Sequence, residues 1–181
     1  MKVLAIIDAQ KDFIDGSMGV GLDKWNPAKA EILKLIESEN YDGYIYTQDW
    51  HPQDHSSFKD QGGPWPVHCV ANSDGAKIDR DLSGLQGNLS TKIIRKGREA
   101  AKEEYGVDLL KKPTDGMDYS KEKNHLITEV HIVGLCYDYC VAACAKMTKE
   151  AHPEIKVVVK KEGTVAIDPN AEPDFGDAIV E

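Results

Sequence analysis

The sequence predicts an α/β fold built on a mainly parallel sheet with helices on both faces. Two observations lead there. Short runs rich in β-branched and other apolar residues recur along the chain, and patterns with helical apolar spacing lie between them. The runs are apolar nearly throughout, as expected for strands buried on both faces, rather than alternating with polar residues. A third observation gives the sheet a working edge: several of these runs end directly in a residue with reactive side-chain chemistry.

The elements follow in order. Val3–Ile7 (VLAII) is the first strand, and Asp8 follows it. The segment KAEILKLIESEN, after Pro27, sets Ala30, Ile32, Leu35 and Ile36 on one helical face. Gly43–Thr47 (GYIYT) is the next strand, leading through Gln48 into Asp49. Lys92–Arg95 (KIIR) runs into Lys96, and Val130–Leu135 (VHIVGL) runs into CYDYC. A second helix is predicted over residues 139–151, small and apolar throughout, followed by a strand at Ile155–Val159. The ending AEPDFGDAIVE is shorter than the helix and closing strand expected there, so either the last strand is missing or AIVE supplies a short one. In a parallel sheet, ligands bind beyond the carboxyl ends of the strands. Asp8, Asp49, Lys96 and the CYDYC segment all emerge at that edge, and four such coincidences make a site.

The totals narrow the function. A chain of 181 residues suits one domain over 1–181 with a single sizeable core. With 22 basic and 31 acidic residues the formal charge is −9, which argues against a nucleic-acid surface. The opening MKVLAIIDAQ has an apolar run of only five residues that ends in Asp8, better read as a buried strand than as a signal peptide. No apolar stretch approaches the ~20 residues that cross a bilayer. Four cysteines (Cys69, Cys136, Cys140, Cys144) without an export signal are expected to be reduced, in a cytoplasmic protein. They form no CxxC pair, so a structural zinc site built on cysteine is not expected.

Cys140 follows a strand and a tight connection and opens the second helix. The helix N-terminus favours thiolate, and its unpaired N–H groups can hold an oxyanion. Taken alone, a cysteine there is more often a small buried residue. Asp8 alone reads equally as a turn former, and Lys96 as a solvated lysine beyond a strand. Together they acquire meaning, because a cysteine nucleophile needs a group to take its proton, and a carboxylate beside a lysine can do so. The loop YTQDWHPQDHSSF (46–58) and the stiff segment GGPWPVHC (62–69) contain Asp49, His51, His55 and His68. One carboxylate and two imidazoles suit a divalent ion such as Zn, Fe or Mn, with His51 and His68 the preferred nitrogen ligands. His55 is either a ligand or a partner of one. His125, His131 and His152 read as ordinary surface or strand residues.

The chain resembles the nicotinamidases of the isochorismatase-like cysteine hydrolases. The resemblance rests on DAQKDF (8–13), DGSMGV (15–20), TQDWHPQDHSSF, GGPWPVHC, IIRKG (93–97) and GLCYDYCVAACA (134–145). It implies a three-layer α/β sandwich, a catalytic Asp8, Lys96, Cys140 triad, and a metal, zinc foremost, held by Asp49, His51 and His68. It implies nicotinamide as the small-molecule substrate, hydrolysed to nicotinate and ammonia in NAD salvage, its ring nitrogen on the metal and its ring between Phe13 and Trp65. The oxyanion falls to backbone N–H groups of Cys136 and Cys140, and Leu135–Cys136 is expected to be cis, placing Leu135 beside the substrate. Homo-oligomerisation is compatible with the resemblance; contact with nucleic acid or membrane is not expected. Two departures stand out. The acidic-aromatic D-x-Y-S-x-F element expected after the lysine is replaced by REAAKEEYGVDLLKKPTDGMDYS (98–120), a lid or added helix in which Tyr105 and Tyr119 are alternative pocket residues. Cys136 stands where an alanine is common. The competing readings are a cysteine amidohydrolase acting on a carbamoyl or ureido compound, and a non-catalytic metal-binding protein of the same fold.

Overall fold

The computed structural model describes residues 1–83, 85, 90–111 and 127–181. Six parallel strands form one sheet: β1 (Lys2–Ile7), β2 (Gly43–Asp49), β3 (Ser90–Lys96), β4 (Glu129–Leu135), β5 (Lys156–Val165) and β6 (Ile179–Val180). Their order is β3-β2-β1-β4-β5-β6, all parallel. The helices are α1 (Lys11–Ile14), α2 (Leu22–Ser38), α3 (Arg80–Ser83) and α4 (Ala142–Ala151), with a π-turn at Tyr137–Val141 leading into α4.

Alternate residues of the central strands face opposite layers, as the period of two requires. Val3, Ala5 and Ile7 join Val141, Cys144 and Ala145 in one apolar cluster, whereas Leu4 and Ile6 join Trp25, Ala28 and Ile32 in another. Thus α4 covers one face and α2 the other, giving the expected three layers. AIVE supplies the closing strand, with Ile179 and Val180 paired to Val158 and Val159.

Two local expectations need correction. The first helix does not begin after Pro27 but at Leu22, with Pro27 inside it. Proline costs a helix interior about 3 kcal/mol. Starting early puts Trp25, fully buried, on the core side. Burying tryptophan removes about 150–250 Å² from water, worth roughly 4–6 kcal/mol at 25 cal/mol/Å², so burial wins. Secondly, Cys140 does not open a helix; it is the fourth residue of the π-turn, where the N–H of Val141 reaches back to the Cys136 carbonyl. His131 lies in β4 as a buried residue, between the Tyr41 hydroxyl (2.9 Å) and Glu129 (2.7 Å). Residues 98–111 run through turns without a helix, while Tyr119 and His125 fall outside the described residues.

The order also explains where a ligand fits. Successive strands are added outward from β1 to β3 on one side and from β4 to β6 on the other, so the order of addition reverses between the parallel neighbours β1 and β4. A crevice opens beyond the carboxyl ends at such a point. Asp8 follows β1, Cys136 follows β4, and Asp49 and Lys96 end β2 and β3 in register with each other.

Candidate active site and metal centre

Lys96 is the hub. Its side chain is wholly buried, and its ammonium lies 2.7 Å from Asp8 Oδ2 and 3.4 Å from Cys140 Sγ, and also donates to Asp49 Oδ1. It donates hydrogen bonds to Asp49 and Cys140, while its contact with Asp8 Oδ2 is an ion pair, that oxygen being buried without a hydrogen-bond partner. The electrostatics follow from burial. Desolvation raises the Asp8 carboxyl above its usual range despite the opposing field of Lys96. Desolvation also pushes Asp49 up, but Lys96 and His51 outweigh it and hold Asp49 below the usual carboxylate range. Burial pushes the Cys140 thiol well up, against the pull of Lys96. The buried lysine, which desolvation alone would discharge, is kept charged by Asp49 and Asp8. The resting pattern is therefore a protonated thiol facing a carboxylate of enhanced basicity, with a fixed cation between them.

The second cluster is built by backbone carbonyls. His51 Nδ1 donates to the Gly97 carbonyl (2.8 Å) and His68 Nδ1 to the Pro66 carbonyl (2.8 Å). Each ring is thereby held in the tautomer whose Nε2 carries a lone pair. Those Nε2 atoms lie 3.5 Å and 4.0 Å from Asp49 Oδ2. Asp49, His51 and His68 each bring one donor atom within 4.8 Å of the others. His51 Nε2 is buried with no hydrogen-bond partner, and such an atom calls for an explanation. A divalent cation among one carboxylate and two imidazole nitrogens would supply it. Gly97 makes the approach possible: at φ +62° a Cβ there would lie 2.4 Å from the His51 ring.

His55 has no such unpaired nitrogen. Its Nδ1 meets Ser57 Oγ at 2.7 Å and its Nε2 meets the Lys102 carbonyl at 3.0 Å. With both nitrogens used, its ring lies on His51, centroids 4.0 Å apart. It therefore offers no spare nitrogen and packs against His51 instead.

A cavity is lined by Phe13, Met18, Trp65, Tyr105, Tyr139 and Ile167 together with Asp49, His68, Glu103, Cys136 and Cys140, members of both clusters. Phe13 and Trp65 are both present, as read from the sequence. Tyr105 joins them, its hydroxyl oxygen accepting the Trp65 indole N–H at 3.0 Å. Leu135 is different: its side chain is wholly buried in the core on the α2 side, so only its backbone reaches the site through the cis bond to Cys136.

Sequence reasoning missed several supporting residues. Gln10 accepts the Asp49 N–H (2.8 Å) and donates to the Asp49 carbonyl (2.9 Å), which fixes the end of β2. Thr47 touches Asp8 twice. Tyr139 packs edge-on against Trp65. Glu103, two residues before Tyr105, was legible as the acidic partner in an acidic-x-aromatic spacing.

The comparisons agree with this picture. No family model matches the chain. A nicotinamidase/pyrazinamidase of Mycobacterium tuberculosis is 30% identical over 151 residues, covering 81% of this chain and 77% of the relative. Among solved structures, the yeast nicotinamidase superposes with a TM-score of 0.77 at 28% identity, over 94% of this chain and 90% of that one. A pyrazinamidase of Pyrococcus horikoshii in complex with zinc gives a TM-score of 0.68 at 30% identity, over 93% and 88%.

Proposed function

We infer how this site works from one premise: the chain belongs to the nicotinamidase/pyrazinamidase family, and it hydrolyses nicotinamide to nicotinate and ammonia. The observation that carries the assignment of roles is the single ammonium of Lys96 bridging Asp8, Asp49 and Cys140. That bridge joins a cysteine–carboxylate pair to a carboxylate–imidazole cluster in one buried site.

Asp49, His51 and His68 would hold a divalent ion, for which zinc is our choice; when bound, it supplies an electrophilic anchor for the substrate's ring nitrogen. The side chains of this protein do the rest. Phe13 and Trp65 flank the ring. The thiol of Cys140, kept protonated by burial, gives its proton to Asp8 as its sulfur attacks the amide carbon. The developing oxyanion is received by the backbone N–H groups of Cys136 and Cys140. Asp8 then protonates the departing nitrogen, ammonia leaves, and a thioester remains on Cys140. Asp8, ionised again, takes a proton from a water that attacks the thioester, and nicotinate is released as the thiol re-forms. Lys96 stays charged throughout, keeping Asp8 in place and balancing its negative charge.

We place the reaction in pyridine nucleotide salvage and the protein in the cytoplasm. The four free cysteines support a reducing compartment. Among the described residues no helix is long and apolar enough to cross a membrane. The test is ammonia release from nicotinamide by the purified protein, before and after chelation and after zinc is restored. Release that is lost and regained supports the whole reading. Full release from metal-free protein removes the role of the Asp49, His51, His68 cluster.

A further inference from the structure

Asp8 is held by more than its lysine. Its backbone φ is +40°, a conformation non-glycine residues seldom adopt. Thr47, fully buried two residues before the end of β2, meets it at two points. The Asp8 N–H donates to Thr47 Oγ1 (3.1 Å), and the Thr47 hydroxyl donates to Asp8 Oδ1 (2.7 Å).

A hydroxyl has one proton to give. With the Asp8 amide directed at its oxygen, the Thr47 hydroxyl has its proton free for the carboxylate, and Oδ1 is the oxygen it reaches. Oδ1 therefore accepts and is poorly placed to carry a proton of its own. The other oxygen, Oδ2, is the one 2.7 Å from Lys96 Nζ, whose next neighbour is Cys140 Sγ at 3.4 Å. Asp8, Asp49 and Cys140 can each put one donor atom within 4.8 Å of the others, so the carboxylate lies close to the sulfur.

We propose that Thr47 is a positioning residue for the hydrolysis: it anchors Asp8 through Oδ1 and thereby reserves Oδ2 as the oxygen that exchanges the proton with Cys140 and the leaving nitrogen. The inference rests on the reading of Asp8 as the base. Thr47 is not among the residues that line the cavity. It acts by removing two freedoms from Asp8, rotation of the carboxylate about its bond to Cβ and drift of the backbone behind it. Proton transfer depends steeply on such alignment, so the consequence falls on turnover and not on binding.

The experiment compares metal-loaded wild-type protein with Thr47→Val, Thr47→Ser and Asp8→Asn, measuring kcat and KM for nicotinamide and the metal content of each. Valine preserves the shape and β-branching that β2 needs but has no hydroxyl; serine restores the hydroxyl. Thr47→Val is expected to lower kcat by about 10- to 100-fold with KM within about twofold. Thr47→Ser should recover most of the loss, and Asp8→Asn should be inactive. A purely structural role predicts that valine and serine variants lose activity in parallel with folded protein or metal, and that outcome overturns the proposal. So does a Thr47→Val enzyme with wild-type kcat beside an inactive Asp8→Asn, which leaves Asp8 as the base. An active Asp8→Asn instead removes the base assignment itself, and the proposal with it.

Discussion

Replacing Lys96 with methionine isolates the electrostatic role of the buried ammonium. Methionine keeps most of the length and apolar stem of lysine while deleting the charge. In the wild-type site that charge faces Asp8 and Asp49, and neither carboxylate has solvent to turn to. Removing one partner of a buried ion pair costs about 3–5 kcal/mol, because the remaining charge is left uncompensated. Two carboxylates share this lysine, so a loss of at least that size is expected at pH 7.5 in chelated protein. The pH dependence gives the sharper test. In wild type the folded-state pKa of Lys96 is raised, so its contribution is complete below 10.5 and is lost only as pH rises beyond that. In the variant both carboxylates would have raised folded-state values against 3.8 unfolded. Each then adds about 1.4 kcal/mol of deficit per pH unit between its folded-state value in wild type, below 3.8 for Asp49 and above it for Asp8, and its higher value in the variant. The deficit should therefore already be present at pH 4, where Asp49 is ionised in wild type, and grow further towards neutrality. Urea unfolding at a series of pH values measures it. A loss below about 1 kcal/mol at pH 7.5, or one equally large at pH 4, would refute the claim that Lys96 chiefly compensates two buried negative charges.

Two further outcomes follow from other contacts. Cys140→Ala should abolish ammonia release while leaving bound metal, measured by elemental analysis, unchanged, since Cys140 is not one of the three residues of the Asp49, His51, His68 cluster; loss of metal would contradict that separation. Glu129 accepts from Lys156 and is paired with buried His131, and these contacts hold its carboxyl down to about 2 from 4.5. A depressed carboxylate contributes stability above its unfolded value that is lost as pH falls through the folded one. Thermal melts of Glu129→Gln should accordingly lose less stability than wild type between pH 4.5 and 2, and parallel acid limbs would count against the pairing.

The sequence by itself determined the strands and the edge at which the chemistry collects. Apolar runs and the reactive residues that end them are local patterns, and parallel pairing brings all such ends to one side. Asp8, Asp49, Lys96 and Cys140 were legible for that reason, and so was His68 in its stiff Pro-Gly segment. What tertiary structure decided lies in contacts between distant residues. The Thr47 hydroxyl reaches Asp8 across 39 positions, the Gly97 carbonyl sets the His51 tautomer across 46, and the Lys102 carbonyl takes the second nitrogen of His55 across 47. No periodicity or neighbouring residue announces such a bond, and a threonine inside an apolar strand reads only as a good β former. The early start of α2 has the same origin: burial of Trp25 outweighs a local rule about Pro27. The residue types and their order thus specified which groups could react, while the packing of β1 against β2 and β4 decided which atom of each group faces which partner.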